Sequence, residues 1–425
     1  MSIRRFFIWL HRWAGLIMAL PLIIVGLTGS VLAFHDEIDA WLNPDFFTVA
    51  QRNAPLLSGV ELREKAAALY PGLPIDTAPL DIRPGHTVEF VMVKDTNHFM
   101  ETEFEVFLDP YTGQKVGERP LWSGPSLTRQ NIMSYLLRVH FNLALPWSTG
   151  ELGATILGVT AIVWTLDCFV GLYLTFPLFR RVSGSAASSA TSWLTRWKLA
   201  WLIKFRASSF RVNFDIHRAF GLWTWLILVV LSWSSVGFNV NQVFTPVMHA
   251  ILPYAKPGPG LPQRAKPLEH PLLDWQAAYS TGHALLANQA RAHGFVIDKE
   301  LALSFDRDLG VYTIAAKSLS EGEKTAQTSV TFDADTAALL QSSWPGSQPQ
   351  KAGDVVTSWL FWLHTAAVLG LPLQIAIFAM GLVITALSYT GVYIWWRKLR
   401  ARKLAASRQQ LTLEGQKTAT SGATV

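Results

Sequence analysis

The sequence predicts an α-helical membrane protein: four transmembrane helices arranged as a duplicated helix–domain–helix unit, with two small α+β external domains. Three observations carry that class. Half of the 425 residues are hydrophobic and only 16% are charged, where a soluble chain carries about a quarter charged residues; mean hydropathy is positive at +0.25. The apolar residues gather into four long runs. The second half of the chain repeats the motifs of the first.

The runs are Trp13 to Phe34, Leu152 to Phe176, Gly221 to Val240 and Leu373 to Trp396. Each is close to the about 20 residues that a helix needs to cross a hydrocarbon layer of roughly 30 Å. Arg and Lys in the short flanks set the orientation. Arg4, Arg5 and Arg12 lie at the start of the first run. Arg180, Arg181, Arg196, Lys198, Lys204, Arg206 and Arg211 lie between the second and third, with no acidic residue among them, and Arg397, Lys398, Arg400, Arg402 and Lys403 follow the fourth. These segments are expected in the cytoplasm and the two long connections on the other side. The divisions are 1–35 for the first span, 36–125 for the first external domain and 126–180 for an interfacial helix and the second span. A basic loop at 181–211 leads to the third span at 212–240. The second external domain at 241–353, an interfacial helix and fourth span at 354–400, and a tail at 401–425 complete the chain.

Arg4 and Arg5 before an apolar run imitate a signal peptide, but the run is too long and lacks a small-residue cleavage site, so a retained helix is expected. Trp193 to Phe205 alternates basic with aromatic or aliphatic residues, as a segment lying on the inner membrane surface would. The 18 tryptophans suit interfacial belts, and Trp122, Trp147, Trp359 and Trp362 read as anchors or as a platform for a bulky chelate. The one cysteine, Cys168, excludes an internal disulfide, a Cys-ligated zinc site and a four-Cys cluster. The net charge of +6 comes from the cytoplasmic flanks and does not point to nucleic acid.

Leu10-His11-Arg12-Trp13-Ala14-Gly15-Leu16 is matched by Ile216-His217-Arg218-Ala219-Phe220-Gly221-Leu222. Tyr135-Leu136-Leu137-Arg138-Val139-His140 is matched by Trp359-Leu360-Phe361-Trp362-Leu363-His364. Gly171-Leu172-Tyr173 and Gly391-Val392-Tyr393 close the two halves. Two copies in one orientation imply a pseudo-twofold axis along the membrane normal. Each external domain offers a helix, then alternating strands that run into an Asp-x-x-Thr turn, Asp109 to Thr112 and Asp333 to Thr336.

Those markers resemble the PepSY-associated transmembrane family, often described as iron-regulated membrane proteins. The resemblance runs from His11 to Arg400 and is closer to the bacterial inner-membrane ferric-siderophore reductases, including the ferrioxamine type. It implies PepSY-like external domains in the periplasm, b-type haem and reduction of iron in a ferric siderophore such as a hydroxamate.

The residues add their own argument. A His in or beside an apolar span is costly without a partner, and imidazole is a strong axial ligand for haem iron. His11 and His217 occupy matching places, as do His140 and His364, and these four are the leading ligands for two haems. Gly15 and Gly221, one turn beyond the first pair, leave room for a flat macrocycle. Arg12 and Arg218 are candidates to pair with its propionates. A haem-free alternative has each His bonded to a carbonyl or a lipid headgroup. His35 and His249, unmatched by the repeat, are alternatives for an assigned ligand or for facing the substrate, whereas His86, His98, His270, His283 and His293 read as surface residues. Asp167 either hydrogen-bonds a ligating imidazole, or carries a compensating proton, or makes a structural contact.

No G-x-G-x-x-G loop follows a strand and no P-loop is present, so the chain is expected to receive electrons from a cytoplasmic or quinol donor. The reading is therefore a di-haem electron carrier that reduces ferric siderophore and releases Fe(II). The alternatives are a haem-free regulatory or binding protein and a siderophore or iron permease.

Overall fold

The computed structural model describes residues 2–94, 102–122, 124–149, 151–178, 192–255, 260–320, 323–344, 346–347 and 350–421. Arg180, Arg181 and His98 lie outside the described residues, as does the side chain of Trp147. The chain divides into two compact units, one of residues 1–34, 139–248 and 357–425, the other of 35–138 and 249–356.

The first unit is helical. Helices α1 (Ile3–Leu32), α6 (Leu152–Thr175) and the 371–407 part of α13 (Leu371–Ser421) are each long and apolar enough to cross a membrane. The first two have 30 and 24 residues, and at 1.5 Å per residue even about 20 would span the hydrocarbon. The third run differs from expectation. Helix α8 (Ser209–Trp223) and helix α9 (Trp225–Asn239) meet at a 72° bend, so the unbroken span expected over 221–240 is a broken pair. The break falls on Thr224, whose hydroxyl donates to the Phe220 carbonyl at 2.7 Å. A back-bonded Thr often bends a helix, while the same bond at Thr28 and Thr165 leaves α1 and α6 continuous.

Small residues let these helices approach. A Cβ placed on Gly26 of α1 would stand 2.8 Å from the Gly381 carbonyl and 2.7 Å from Thr385 Oγ1 of α13. One on Gly381 would collide with Ser30 and the Gly26 carbonyl. Ser30 Oγ itself donates to the Phe378 carbonyl at 2.9 Å. In α6, Gly158 faces Val240 at the end of α9. This is close packing through small side chains, the usual means of helix association where lipid supplies no hydrophobic drive. Helix α1 also packs along α6, and α8 packs along α13. Ala14, Met18, Leu22, Cys168, Leu228, Leu231, Met380 and Ile384 form the buried apolar centre. Arg4 donates to the Leu174 and Phe176 carbonyls at 2.8 and 3.1 Å, placing a cation on the open C-terminal end of α6.

The second unit is α+β. Strands β2 (Val88–Val93), β3 (Glu103–Leu108) and β4 (Lys115–Pro120) form an antiparallel sheet with Phe90 opposite Val106. Helix α4 (Gly59–Leu69) begins with a capping box of Ser58 and Glu61 and buries Leu62 and Ala66 against this sheet's apolar cluster. Strands β5 (Val296–Asp306), β6 (Val311–Ser320), β7 (Glu323–Asp333) and β8 (Leu339–Ser343) form the second sheet, with helix α11 (Trp275–His293) packed on it. The short strand β1 (Thr77–Pro79) is the edge of that second sheet, with Ala78 opposite Leu303. The segments 36–125 and 241–353, expected as two external domains, therefore share a sheet. Pro79 has no N–H to give a further strand, which suits it to an edge.

The two Asp-x-x-Thr turns have one geometry. Asp109 Oδ1 accepts from the Tyr111 and Thr112 amides at 2.8 and 3.2 Å, and Asp333 Oδ1 from the Asp335 and Thr336 amides at 3.0 and 2.8 Å. Gly113 takes the left-handed φ of 69° that closes the first turn, while Ala337 takes 63° in the second.

Candidate haem-ligand pairs

The structure brings the four matched histidines together two by two, all within the helical unit. His11 of α1 and His217 of α8 have ring centres 6.0 Å apart. His140, on helix α5 (Ile132–Asn142), and His364, at the end of helix α12 (Ala352–His364), are 6.4 Å apart.

Each ring is held through Nδ1. His11 Nδ1 meets Asp167 Oδ1 at 2.9 Å. His217 Nδ1 lies 3.0 Å from the Leu387 carbonyl and 3.1 Å from Thr390 Oγ1. His140 Nδ1 lies 3.0 Å from Thr28 Oγ1, and His364 Nδ1 2.8 Å from Ser234 Oγ. Proton counting assigns the tautomers. A hydroxyl has one hydrogen to give. Thr28 directs its own to the Ile24 carbonyl at 2.8 Å, and Ser234 directs its own to the Val230 carbonyl at 2.8 Å. Both oxygens must therefore accept from imidazole. A carboxylate and a carbonyl can only accept. All four rings thus carry their proton on Nδ1 and present a bare lone pair on Nε2, the form in which a metal-ligating His is held by its surroundings.

Glycines receive the ring edges. A Cβ on Gly171 would lie 3.6 Å from His11 Cε1, one on Gly391 3.4 Å from His217 Cε1, and one on Gly29 2.9 Å from His140 Cε1. Beside Gly15 and Gly221, by contrast, a Cβ would meet no atom within 4 Å, so space is open one turn from the first pair.

The two arginines are not equivalent. Arg218 donates to Asp215 Oδ1 at 2.9 Å and to the Leu199 carbonyl at 2.7 Å, and Asp215 is fully buried between Arg211 and Arg218. Arg12 stands over the Trp13 ring at 5.4 Å. Its Nε has no hydrogen-bond partner among the described residues, and neither does Arg218 Nε. The sequence has Trp9 at the place matching Asp215, which is why only the second arginine is tied down. His35 and His249 belong to the other compact unit. His35 Nδ1 bonds Asp36 at 2.8 Å, and the His249 ring stacks on Tyr254 with centres 4.1 Å apart.

The sequence reading did not single out Thr28, Ser234, Thr390 or the three ring-facing glycines as part of the site. A signal was present: Thr28 follows His11 at the same interval at which Ser234 follows His217.

The ring spacing of each pair is compatible with haem. A metal–imidazole bond of about 2 Å on each side, with about 1 Å from nitrogen to ring centre, separates the centres by about 6 Å. Among the described residues no group of three or more His, Cys, Asp or Glu side chains is placed for a bare metal ion, whereas haem iron asks the protein for axial ligands alone. Comparison with curated proteins returned no match. The sequence profile of the PepSY-associated TM region matches residues 8–398, and the chain belongs to that family.

Proposed function

We propose that the protein is a di-haem b-type oxidoreductase of the bacterial inner membrane that passes electrons across the bilayer to ferric siderophore and releases Fe(II). In this reading the four spans form the duplicated helix–domain–helix layout. The termini and basic segments face the cytoplasm, and the unit containing both sheets faces the periplasm.

The observation that carries the reading is the set of four Nδ1-protonated imidazoles, paired two by two, whose Nε2 lone pairs have no hydrogen-bond donor among the described residues. An imidazole whose Nδ1 proton is held and whose Nε2 lone pair is left open is set up to bind a metal. Haem at each pair would supply one-electron iron chemistry. The chain's own residues orient the ligands. Asp167, the Leu387 carbonyl and Thr390 hold His11 and His217, while Thr28 and Ser234 hold His140 and His364. No Cys-x-x-Cys-His motif exists, so attachment is non-covalent. The substrate class rests on the resemblance and on iron chemistry: oxygen chelators hold hard Fe(III) strongly and Fe(II) less well, so reduction releases the metal.

Purified protein from haem-replete cells is expected to show a b-type reduced-minus-oxidised spectrum with two haems per chain. His11→Ala or His217→Ala removes one and the same haem, and His140→Ala or His364→Ala removes the other. A preparation without a Soret band refutes the proposal. With haem present, a ferric hydroxamate should reoxidise the reduced protein and yield Fe(II) to a ferrous chelator. Haem that is indifferent to the ferric complex would make the chain a haem-binding protein only, and iron movement into sealed vesicles without reductant would make it a permease.

A further inference from the structure

Resting on the haem reading above, we infer that Asp167 is a positioning residue that holds the potential of the haem at His11 and His217 below that of the haem at His140 and His364.

The four imidazoles have different partners. Thr28, Ser234 and Thr390 offer neutral hydroxyls and Leu387 a neutral carbonyl, while His11 alone faces a carboxylate. Asp167 is the only charged residue of α6, and its side chain is 11% exposed. A carboxylate at this depth in a span is costly. The matching place in the second half is Leu387, where an apolar side chain serves and a backbone carbonyl holds the ring. The fold therefore does not require an acid there.

What the acid changes is the ligand. By accepting the Nδ1 proton in a charge-assisted bond, it makes the imidazole a stronger donor through Nε2. The oxidised site carries one more positive charge than the reduced site, so a fixed negative charge nearby favours oxidation. That preference is large where water is excluded. Arg12, Arg211 and Arg218 pull the other way, with Asp215 standing between the last two, but none of them bonds an imidazole as Asp167 does. At the His140–His364 pair both ring partners are uncharged. The low-potential site is thus at His11 and His217, and an electron placed there runs downhill to the other pair.

The test is a spectropotentiometric titration of the purified full-length protein, with the two waves assigned from His364→Ala, which keeps only the first haem. The wave of the His11–His217 haem is expected below the other. Asp167→Asn should move it to a more positive midpoint with both haems retained and leave the other wave in place, and Asp167→Glu should restore it. An unchanged midpoint in Asp167→Asn, an equal shift of both waves, or a wild-type order opposite to this one overturns the inference. Loss of the first haem in Asp167→Asn, with recovery in Asp167→Glu at the midpoint of the second haem, overturns it too, since the carboxylate would then only hold the ring. Wild-type protein without haem would instead refute the reading beneath, and that is seen before any potential is measured.

Discussion

Ser234→Ala probes the haem reading through an atom that is not itself a ligand. Ser234 is fully buried, and its hydroxyl is the acceptor for His364 Nδ1–H at 2.8 Å. Alanine removes one oxygen and leaves the helix ladder of α9 intact, so the packing hardly changes. What remains is a buried imidazole N–H with only the Leu231 carbonyl near it, a penalty of up to about 1–3 kcal/mol. The ring can escape it by turning or by moving its proton to Nε2, and either change spoils the lone pair that binds iron. At about 1.4 kcal/mol per factor of ten, the haem held by His364 should be released roughly 10- to 100-fold faster, in the range usual for partners of metal-ligating histidines. The assay is haem transfer to excess apomyoglobin, followed in the Soret band. Ser235→Ala is the control, because that hydroxyl donates only to the Leu231 carbonyl at 2.7 Å and touches no imidazole. Equal release rates for Ser234→Ala and wild type, or for Ser234→Ala and Ser235→Ala, would refute the reasoning.

Gly15→Phe should lower the content of the His11–His217 haem while leaving thermal stability close to wild type. The open space beside Gly15 admits a ring, and any non-Gly residue there recovers some helix propensity, up to about 1 kcal/mol; retention of that haem would show that the space serves no macrocycle. Ala337→Gly should stabilise the α+β unit by about 1 kcal/mol, since Ala337 holds a φ of 63° that costs a residue with a Cβ about that much, as a thermal melt would record. Asp333 answers to pH. Burial pushes its carboxyl up, but the Thr336 amide and hydroxyl prevail and hold it below the usual value of 3.8. Its stabilisation is therefore present above that value and lost as pH falls through the lowered one. The stability gap between wild type and Asp333→Ala should be widest near neutrality and should close in acid; a gap that is constant with pH would exclude the ionised turn.

Much of the site was legible because the chain repeats. A single histidine near an apolar run has many explanations, but two pairs at matching places have few, and the structure brings His11 to His217 and His140 to His364. The bend at Thr224 was not legible. No Pro marks it, Gly221 has a match in the unbroken first span at Gly15, and a Thr that bonds its own i−4 carbonyl looks in sequence like any other Thr in an apolar run. The strand Thr77–Pro79 was equally silent, since three residues cannot show a two-residue period. Its partner strand comes from a segment more than two hundred residues away.

Where the matching places differ, the difference has a direction. Imidazole answers imidazole, and hydroxyl answers hydroxyl at Thr28 and Ser234. Two of the mismatches that touch the site bring in carboxylates: Asp167 where the other half has Leu387, and Asp215 where it has Trp9. Both acids lie by the His11–His217 pair, one bonded to His11 and the other to Arg218 beside His217. One is contributed by each half. A charge introduced by drift would fall at either pair and would carry the cost of an ion in a span without return. Two such charges, gathered at one pair and each bonded to a ligand or to its neighbour, point to electrostatic asymmetry between the two pairs as the property that the halves diverged to supply. In the proposed reading, unequal charge at the two pairs gives the electron a preferred resting place, which two identical sites would not.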